Sequence, residues 1–293
     1  MAITNRYRLG GRPFERPCEG EDAPVRKLFF LSVEGDLMEK HYFDHLNTWL
    51  RESGISSVMI HVLLHPKDGC NSPRYVYDLL AECREVVGDA ILPLDAVKML
   101  SAQFSEEEIE KMLLDAKGVS GEKLHLFHQT LSKLGIDCDY RKFLSSIGND
   151  TSEDVFAVVF DRDKDTHNVD DIREIIDLCA KSKMECYISN PCFEFWLALH
   201  LFSVDELKAP EEYLQILENS KITNRHTYIS KKVSEKAGHN KEITYGKFVS
   251  VYSGFIKDAI ERAKEFPYDV EKLLDNVGTN VHVLVQQILE CHK

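Results

Sequence analysis

The chain has 293 residues, of which 43% are hydrophobic and 29% charged, so it has the composition of a soluble globular protein with a substantial core. A formal net charge of −13 argues against a nucleic-acid coat protein, which needs a broadly basic surface, but not against a metal-dependent nuclease with carboxylates at its centre. The apolar runs are too short to cross a bilayer and no signal peptide is evident, so we expect a cytoplasmic protein with no membrane partner.

The chain begins with a segment rich in Arg, Gly and Pro, and we predict a basic N-terminal arm over residues 1–26. A short apolar run at 27–33 predicts a buried strand, and a helical stripe follows at 38–50. A second strand and helix are expected at 58–64 and 72–87. Strands and helices that alternate in this way are typical of a parallel sheet, so residues 27–87 are predicted to form the first part of an α/β core.

The pattern changes over residues 88–150, which contain no convincing strand and several helical signals. Ser105 and Glu108 have the spacing of a capping box, and Phe104 and Ile109 occupy the positions of a hydrophobic staple. We therefore predict a helical insertion between two parts of the core.

The second part of the core is predicted over residues 151–204. An apolar run at 154–160 predicts the third strand, and a helix is expected at 168–182. Residues 184–188 predict a fourth strand, which is followed by a helix at 192–202. The eight cysteines of the chain form no C-x-x-C pair, which favours reduced and mostly buried thiols over a zinc site or a disulfide framework.

Residues 205–293 are predicted to be mostly helical. Between Lys221 and Lys247 they hold seven Lys or Arg residues against two Glu, a local basic excess in an acidic chain. Such residues most often form a solvated face, but in a nuclease they are the best candidates for contacts with a nucleic-acid backbone. The candidates chosen for that role are Lys231, Lys232 and Arg225.

Three acidic residues follow predicted strands. Glu34 comes after the first strand, and Asp161 and Asp163 come after the third. Parallel strands bind ligands beyond their carboxyl ends, and carboxylates two residues apart in extended chain project to the same side. Because such acids repel one another unless a cation lies between them, the pattern predicts a site for Mg²⁺ or Mn²⁺, with the number of ions left open. Asp165 is a candidate further ligand of the metal or an outer-shell residue, and the alternative is a turn residue.

Three more polar residues are candidates for the surroundings of this site. Glu39 is either part of it or a solvent-facing helix residue, and Asn190 either lies near the metal or acts as a helix N-cap. Glu194 lies in the first turn of a predicted helix, facing the strand ends. His200 is interpreted as a core histidine. No Walker loop and no G-x-G-x-x-G pattern is present, so nucleotide binding through either device is not expected.

Four segments of the chain resemble motifs of the RloB family. FFLSVEGDLMEKHYFDHL is similar to its opening motif, VVFDRDKD to its central Asp motif and SNPCFEFWLALH to its S-N-P-x-F-E-x-W segment. NVGTNVHVLVQQIL resembles the closing motif. Two features depart from the usual pattern: the segment 88–150 is longer, and Val277-Gly278 stands where Pro-Ser is common.

The resemblance implies a Toprim-like fold, in which a Glu after the first strand acts as acid or base and a D-x-D pair holds the metal. Glu34, Asp161 and Asp163 are the matching catalytic positions. It also implies a role in phage defence or abortive infection beside an ATPase partner. We therefore expect a Mg²⁺-dependent nuclease acting on DNA or RNA, tRNA included, and a homo-oligomer is compatible with the sequence.

Two alternatives stay open at this point. The protein could be a non-catalytic regulatory or scaffold subunit of an ATPase complex, with the segment 88–150 as its docking surface. It could also transfer nucleotides as primases do, since that reaction needs the same acids. The residues do not choose between DNA and RNA.

Overall fold

The computed structural model describes most of the chain between Lys27 and Cys291, namely residues 27–35, 37–55, 57–63, 72–88, 94–105, 107–109, 112, 120–132, 154–164, 167–224, 226–238 and 242–291. The predicted arm at 1–26, Asp165 and Arg225 lie outside the described residues. The chain divides into two compact units, one of Met1–Val25, Leu64–Gly69 and Ala81–Glu153 and the other of Arg26–Leu63, Cys70–Leu80 and Asp154–Lys293. The domain boundaries given above stay a prediction.

The described residues form thirteen α-helices and seven strands when short π- and 3₁₀-helical turns at Phe248–Tyr252 and Ser253–Phe255 are counted apart. In chain order these elements are β1 (Lys27–Val33), α1 (Met38–Glu52), β2 (Val58–Val62), α2 (Pro73–Gly88), α3 (Leu94–Ser101), α4 (Gly121–Ser132), β3 (Val155–Asp161), α5 (Val169–Lys181), β4 (Glu185–Asn190), α6 (Glu194–Leu201), α7 (Val204–Lys208), α8 (Pro210–Glu218), β5 (Lys221–Thr223), β6 (His226–Thr227), α9 (Tyr228–Lys236), α10 (Tyr245–Lys247), α11 (Ile256–Ala263), α12 (Val270–Leu273), β7 (Gly278–Thr279) and α13 (Val281–Glu290).

The larger unit is built on a five-stranded sheet in the order β2-β1-β3-β4-β7. The first four strands are parallel, with Phe29 opposite Val155 between β1 and β3 and Val159 opposite Tyr187 between β3 and β4. Both β1 and β3 consist almost wholly of buried residues, as expected for central strands covered on both faces. The α/β fold class predicted from the sequence is confirmed.

The strand order reverses direction at the junction of β1 and β3, because the chain moves outward from β1 to β2 and then returns to the other side of β1. In open parallel sheets such a junction leaves a crevice beyond the carboxyl ends of the two strands, and ligands bind there. Glu34 and Asp161 lie at these two strand ends.

The end of β4 differs from the prediction. The strand continues to Asn190 rather than Ile188, and helix α6 begins at Glu194 rather than Cys192. The extension arises because Ser189 and Asn190 pair with the antiparallel strand β7, which was not predicted. A two-residue strand supplied from about 90 positions further along the chain leaves no periodic signal in the sequence.

Gly278 in β7 is required by packing. A Cβ atom at this position would collide with the carbonyl group of Pro267 and press against the side chain of Leu273. Because the obstacle includes backbone, it cannot simply rotate away. The glycine at position 278, where the RloB motif commonly has Ser, therefore has a structural reason in this chain.

The core of the larger unit contains a group of buried aromatic residues around His200. The side chains of Tyr42, Trp196, His200 and Tyr252 are nearly or fully buried. His200 Nδ1 donates to the carbonyl oxygen of Trp196 at 3.0 Å, which leaves Nε2 to accept from the hydroxyl of Tyr42 at 3.2 Å. The interpretation of His200 as a core histidine is confirmed.

The smaller unit contains the predicted capping box. Ser105 Oγ accepts from the amide of Glu108 at 3.3 Å, and the Glu108 carboxylate accepts from the amide of Ser105 at 3.1 Å. Glu108 also forms an ion pair with Lys123 of α4. Phe104 is buried and packs edge-on against Phe127 with ring centroids 6.0 Å apart.

Two further expectations concern the whole chain. The four cysteines whose side chains are described, at positions 179, 186, 192 and 291, are free thiols, in agreement with the prediction of reduced cysteines. Within the described ranges, no helix combines the length and the apolar character that crossing a membrane requires.

Burial of neutral His200 makes stability depend on pH. Its pKa is lowered to about 3, chiefly by desolvation. As the pH falls below about 6.5, His200 is therefore protonated in the unfolded chain but stays neutral in the folded chain. The free energy of unfolding should therefore fall as the pH drops from 6.5 toward 3, and His200 should contribute a slope of about 1.4 kcal/mol per pH unit in this window. We expect His200→Gln to flatten the profile measured by urea unfolding between pH 7.5 and 4.5.

The matched control is His125→Gln, because His125 is exposed on α4. His61, whose pKa is also lowered to about 3 by burial, adds the same slope to every variant and cancels in the comparison. Equal slopes for the wild type and His200→Gln would show that His200 is not held neutral in the core.

Candidate functional site

Glu34 connects the two strands at the junction of the sheet. Its amide donates to the Val159 carbonyl at 3.0 Å and so continues the ladder between β1 and β3. Its carboxylate Oε2 accepts from the amide of Asp161 at 2.9 Å. The first and third strands thus bring these two predicted site residues together, as the parallel arrangement led us to expect.

The second oxygen of the Glu34 carboxylate contacts a histidine. Oε1 lies 2.9 Å from His167 Nε2, and both side chains are largely shielded from solvent. The hydrogen bond to Glu34 is the main cause that raises the pKa of His167. His167 was not identified from the sequence, because a histidine four residues after Asp163 in a loop matches no spacing rule.

A compact group of possible ligands surrounds Asp161. One carboxylate oxygen of Asp161, one of Glu194 and the sulfur of Cys192 all lie within 4.8 Å of one another. Glu194 is the first residue of α6 and was among the predicted site residues. Cys192 was expected to be a buried thiol, and it is buried, but its place beside the acids was not predicted.

The acids around Asp161 make its charged form unfavourable. Desolvation is the main cause that raises the pKa of Asp161 well above its ordinary value, and the charges of Glu39, Glu34 and Glu194 raise it further. A hydrogen bond from the backbone of Phe193 opposes the shift. Several carboxylates that disfavour one another's charge are the arrangement that a divalent cation relieves.

Glu39 lies inside the protein. Its side chain is 5% exposed, so the alternative that it is a solvent-facing helix residue is wrong. Its carboxylate packs directly over Gly35, where any Cβ atom would collide with it. The Glu-Gly pair after β1 therefore has two functions: Glu34 supplies a carboxylate, and Gly35 leaves space for a second carboxylate from α1.

Asn190 has a structural contact that differs from the predicted one. It is not the N-cap of α6, because the residue at that position is Phe193, which makes no side-chain cap. Its amide nitrogen donates instead to the carbonyl of Leu273 at 2.6 Å. The prediction that Asn190 caps the helix is wrong, because β4 continues through Asn190 and three residues separate it from the start of α6.

Arg162 separates the two acids of the D-x-D pair. Its side chain is 6% exposed, and it donates to the carbonyl oxygens of Leu274 and His167, both at 3.0 Å. Asp161 and Asp163 instead line the same cavity, as the alternation of side chains predicts. Arg162 therefore fixes the loop after β3 in the position that directs both acids into the cavity.

The cavity has a volume of about 430 Å³. One side is formed by the strand ends and the start of α6, and the other by the end of α8, the β5–β6 hairpin and the start of α9. Its lining consists of Asp161, Asp163, Lys164, Pro191, Cys192, Glu194, Leu217, Glu218, Asn219, Lys221, Asn224, His226, Thr227 and Ser230.

The family model described as RloB-like protein matches residues 29–288. The chain belongs to the RloB-like protein family. No curated protein and no solved structure matches it.

The donor set of this RloB-like protein fits a hard divalent cation. Asp161 and Glu194 offer carboxylate oxygens, which Mg²⁺ and Mn²⁺ prefer. Burial is the main cause that raises the pKa of the Cys192 thiol, and a protonated thiol is a poor ligand. Asp163 faces the same cavity and could supply a further oxygen.

The predicted nucleic-acid contacts of the RloB-like protein lie elsewhere on α9. Lys231 lies 3.8 Å from Glu235, and Lys232 lies 2.9 Å from Glu212 and over the ring of Phe202. Both lysines therefore already have acidic neighbours, and neither lines the cavity. Their role in binding nucleic acid stays a prediction.

Removing the Asp161 charge should stabilise the metal-free RloB-like protein. The raised pKa of Asp161 means that its ionised form is disfavoured on folding, so Asp161→Asn relieves repulsion at neutral pH. A gain on the order of 1 kcal/mol would raise the Tm by about 2–4 °C in EDTA. We expect millimolar Mn²⁺ to raise the Tm of the wild type but not that of Asp161→Asn.

Asp177→Asn is the control, since Asp177 is exposed on α5. It should respond to Mn²⁺ as the wild type does. A lower Tm for Asp161→Asn in EDTA, together with a normal response to Mn²⁺, would contradict a cation site at Asp161.

Cys192 provides a test of which metal the site takes. Because sulfur is a soft ligand, a site for Mg²⁺ or Mn²⁺ should depend on the carboxylates and not on Cys192. We expect Cys192→Ser to keep the Mn²⁺ affinity within about threefold, as measured by isothermal titration calorimetry. A zinc site would behave differently, because Cys192→Ser would remove a ligand and weaken Zn²⁺ binding by far more than threefold.

Proposed function

We propose that this RloB-like protein is a Toprim-like, Mg²⁺- or Mn²⁺-dependent nuclease that cleaves phosphodiester bonds in DNA or RNA. The observation that carries the proposal is the convergence of four carboxylates, from Glu34, Glu39, Asp161 and Glu194, at the strand junction beside a cavity that also contains lysines. The resemblance to Toprim proteins supports the same conclusion, since it places an acid after the first strand and a D-x-D pair after the third.

The proposed roles follow from position. Asp161 and Asp163, with Glu194 adjacent, would hold the cation, and a cation there supplies positive charge against the negative phosphate. Glu34 would take a proton from the attacking water or give one to the leaving oxygen. The amide of Asp161 and the ring of His167 each bind one Glu34 oxygen, so its carboxylate is held in one orientation.

The biological setting is proposed from the resemblance alone. Family resemblance supports a role in antiphage defence with an ATPase partner that would release its activity, and the proposed location is the cytoplasm. A trigger of this kind would restrain a nuclease until infection. If no cleavage occurred under any condition, the protein would instead be a regulatory subunit whose acidic site binds metal without turnover.

A nuclease assay tests the proposal. Purified protein would be incubated with Mn²⁺ or Mg²⁺ and with plasmid, single-stranded DNA and tRNA, both alone and after coexpression with the neighbouring ATPase. We expect cleavage of at least one substrate and a loss of about 100-fold or more in Glu34→Gln, because a general acid or base contributes that much. Asp161→Asn should be inactive as well.

The controls keep the charge change but move it away from the site. Glu211→Gln and Asp177→Asn alter exposed acids on α8 and α5 and should cleave like the wild type. Cleavage that persists in both the Glu34→Gln and the Asp161→Asn variants would come from a contaminant or from another site, and it would contradict the proposed function.

A further inference from the structure

One wall of the cavity, formed by lining residues between Leu217 and Ser230, comes entirely from the C-terminal region and includes one acid, Glu218. Lys221 and His226 of the β5–β6 hairpin lie on this wall, together with Ser230 in the first turn of α9. The sequence indicated only a basic excess in this region. The structure shows which of its basic groups line the same cavity as Asp161 and Asp163.

Asn219 fixes the position of the wall. It ends α8 in the left-handed conformation, with φ of 43°, and its Oδ1 accepts from the amide of Ile229 at 3.1 Å. Its Nδ2 lies 3.6 Å from the sulfur of Cys192, beside the acidic group. One side chain thus joins the end of α8, the start of α9 and the residue next to Asp161.

The basic groups on this wall differ from the other lysines of α9. No carboxylate of the described residues forms an ion pair with Lys221, whereas Lys164 interacts with the charge of Asp275. His226 Nδ1 lies 3.3 Å from the hydroxyl of the buried Ser230, which holds the ring in place. Lys231 and Lys232, by contrast, have carboxylates beside them.

The charges of the cavity restrict what can bind. Four carboxylates line it, from Asp161, Asp163, Glu194 and Glu218, against the ammonium groups of Lys164 and Lys221. An anion alone would be repelled by the acids, and a cation alone would leave the ammonium group of Lys221 without a partner. A phosphodiester that arrives with a divalent cation satisfies both sides.

Size and lining restrict the ligand further. A volume of about 430 Å³ is that of a small-molecule pocket and can hold one nucleotide, whereas a base-paired duplex cannot enter it. No Phe, Tyr or Trp is among the lining residues, so His226 is the one aromatic ring there that could contact a base. Asn224 offers a polar side chain to the edge of a base.

We propose that this cavity binds one unpaired nucleotide of a single-stranded or looped nucleic acid, with a phosphate against Lys221 and His226 and the metal on the acidic side. The inference rests on the proposed function, because it names the substrate form that the same site would take. Under this inference, the main contact to the nucleic-acid backbone is the β5–β6 hairpin, and not Lys231 and Lys232 on the surface of α9.

Binding can be measured without cleavage. In the full chain carrying Glu34→Gln, with Mg²⁺ present, fluorescence anisotropy would give the Kd of labelled single-stranded 12-mers of DNA and RNA and of a 12-bp DNA duplex. We expect at least one single strand to bind about tenfold more tightly than the duplex. Adding Lys221→Glu should weaken that binding by about tenfold or more, as the loss of one charge-assisted contact does.

The matched control is Lys257→Glu, which makes the same charge reversal at an exposed lysine of α11. It should change the Kd by less than about twofold, while Lys221→Arg keeps the wild-type affinity. Lys221→Glu should not weaken Mn²⁺ binding, since Lys221 does not hold the metal. His226→Gln is the second variant and should weaken single-strand binding without affecting the Tm.

Three outcomes would overturn the inference: equal or tighter binding of the duplex, equal effects of Lys221→Glu and Lys257→Glu, or a larger loss from Lys231→Glu than from Lys221→Glu. The proposed function is tested separately. If the wild type cleaves nothing but Lys221→Glu still weakens single-strand binding, the inference stands and the nuclease proposal fails. If the wild type cleaves and Lys221→Glu binds normally, the inference fails and the nuclease proposal stands.

Discussion

The structure of the site depends on the repulsion between carboxylates that the fold places around Asp161. Glu34, Glu39 and Glu194 come from three separate elements, and each raises the pKa of Asp161. Bringing like charges together costs free energy, and part of the cost is offset by hydrogen bonds from the amide of Asp161 and from His167 to Glu34. The remainder is what a bound cation would offset. A purely structural role for this cluster gives no reason for so many acids at one strand junction.

Much of the fold could be predicted because its signals are local. Strands β1 and β3 are continuous apolar runs, and α1 and α5 have clear helical stripes, so their places in the chain agree with the structure within a few residues. The same reasoning placed Glu34 and Asp161 together, since parallel strands end at one edge. What could not be predicted depends on distant pairing: β7 exists only as the partner of β4, and it changes where β4 ends.

The site shows the same division between local and distant information. Cys192 and His167 reach the acids through the path of loops, which no spacing in the sequence specifies. The basic excess of the C-terminal region was visible in the sequence, but the choice among its lysines was not. Lys232 lies beside Glu212, which is 20 positions earlier in the chain, and only the tertiary structure shows that pairing. A count of charges predicts a region, whereas the carboxylates around each lysine decide which ones are available to a ligand.

The C-terminal region also supplies hydrogen-bond acceptors to residues next to the acids. Arg162 and Asn190 are buried at the ends of β3 and β4, and both donate to carbonyl groups in and just after α12, those of Leu274 and Leu273. Buried donors of this kind are costly to leave without acceptors, particularly the charged guanidinium of Arg162. The loop that carries Asp161 and Asp163 therefore holds its shape only while α12 is in place. The β5–β6 hairpin and α12 both belong to the C-terminal region. That region therefore forms one wall of the cavity and also holds the strand ends that carry Asp161 and Asp163. The α/β core alone would form neither part completely.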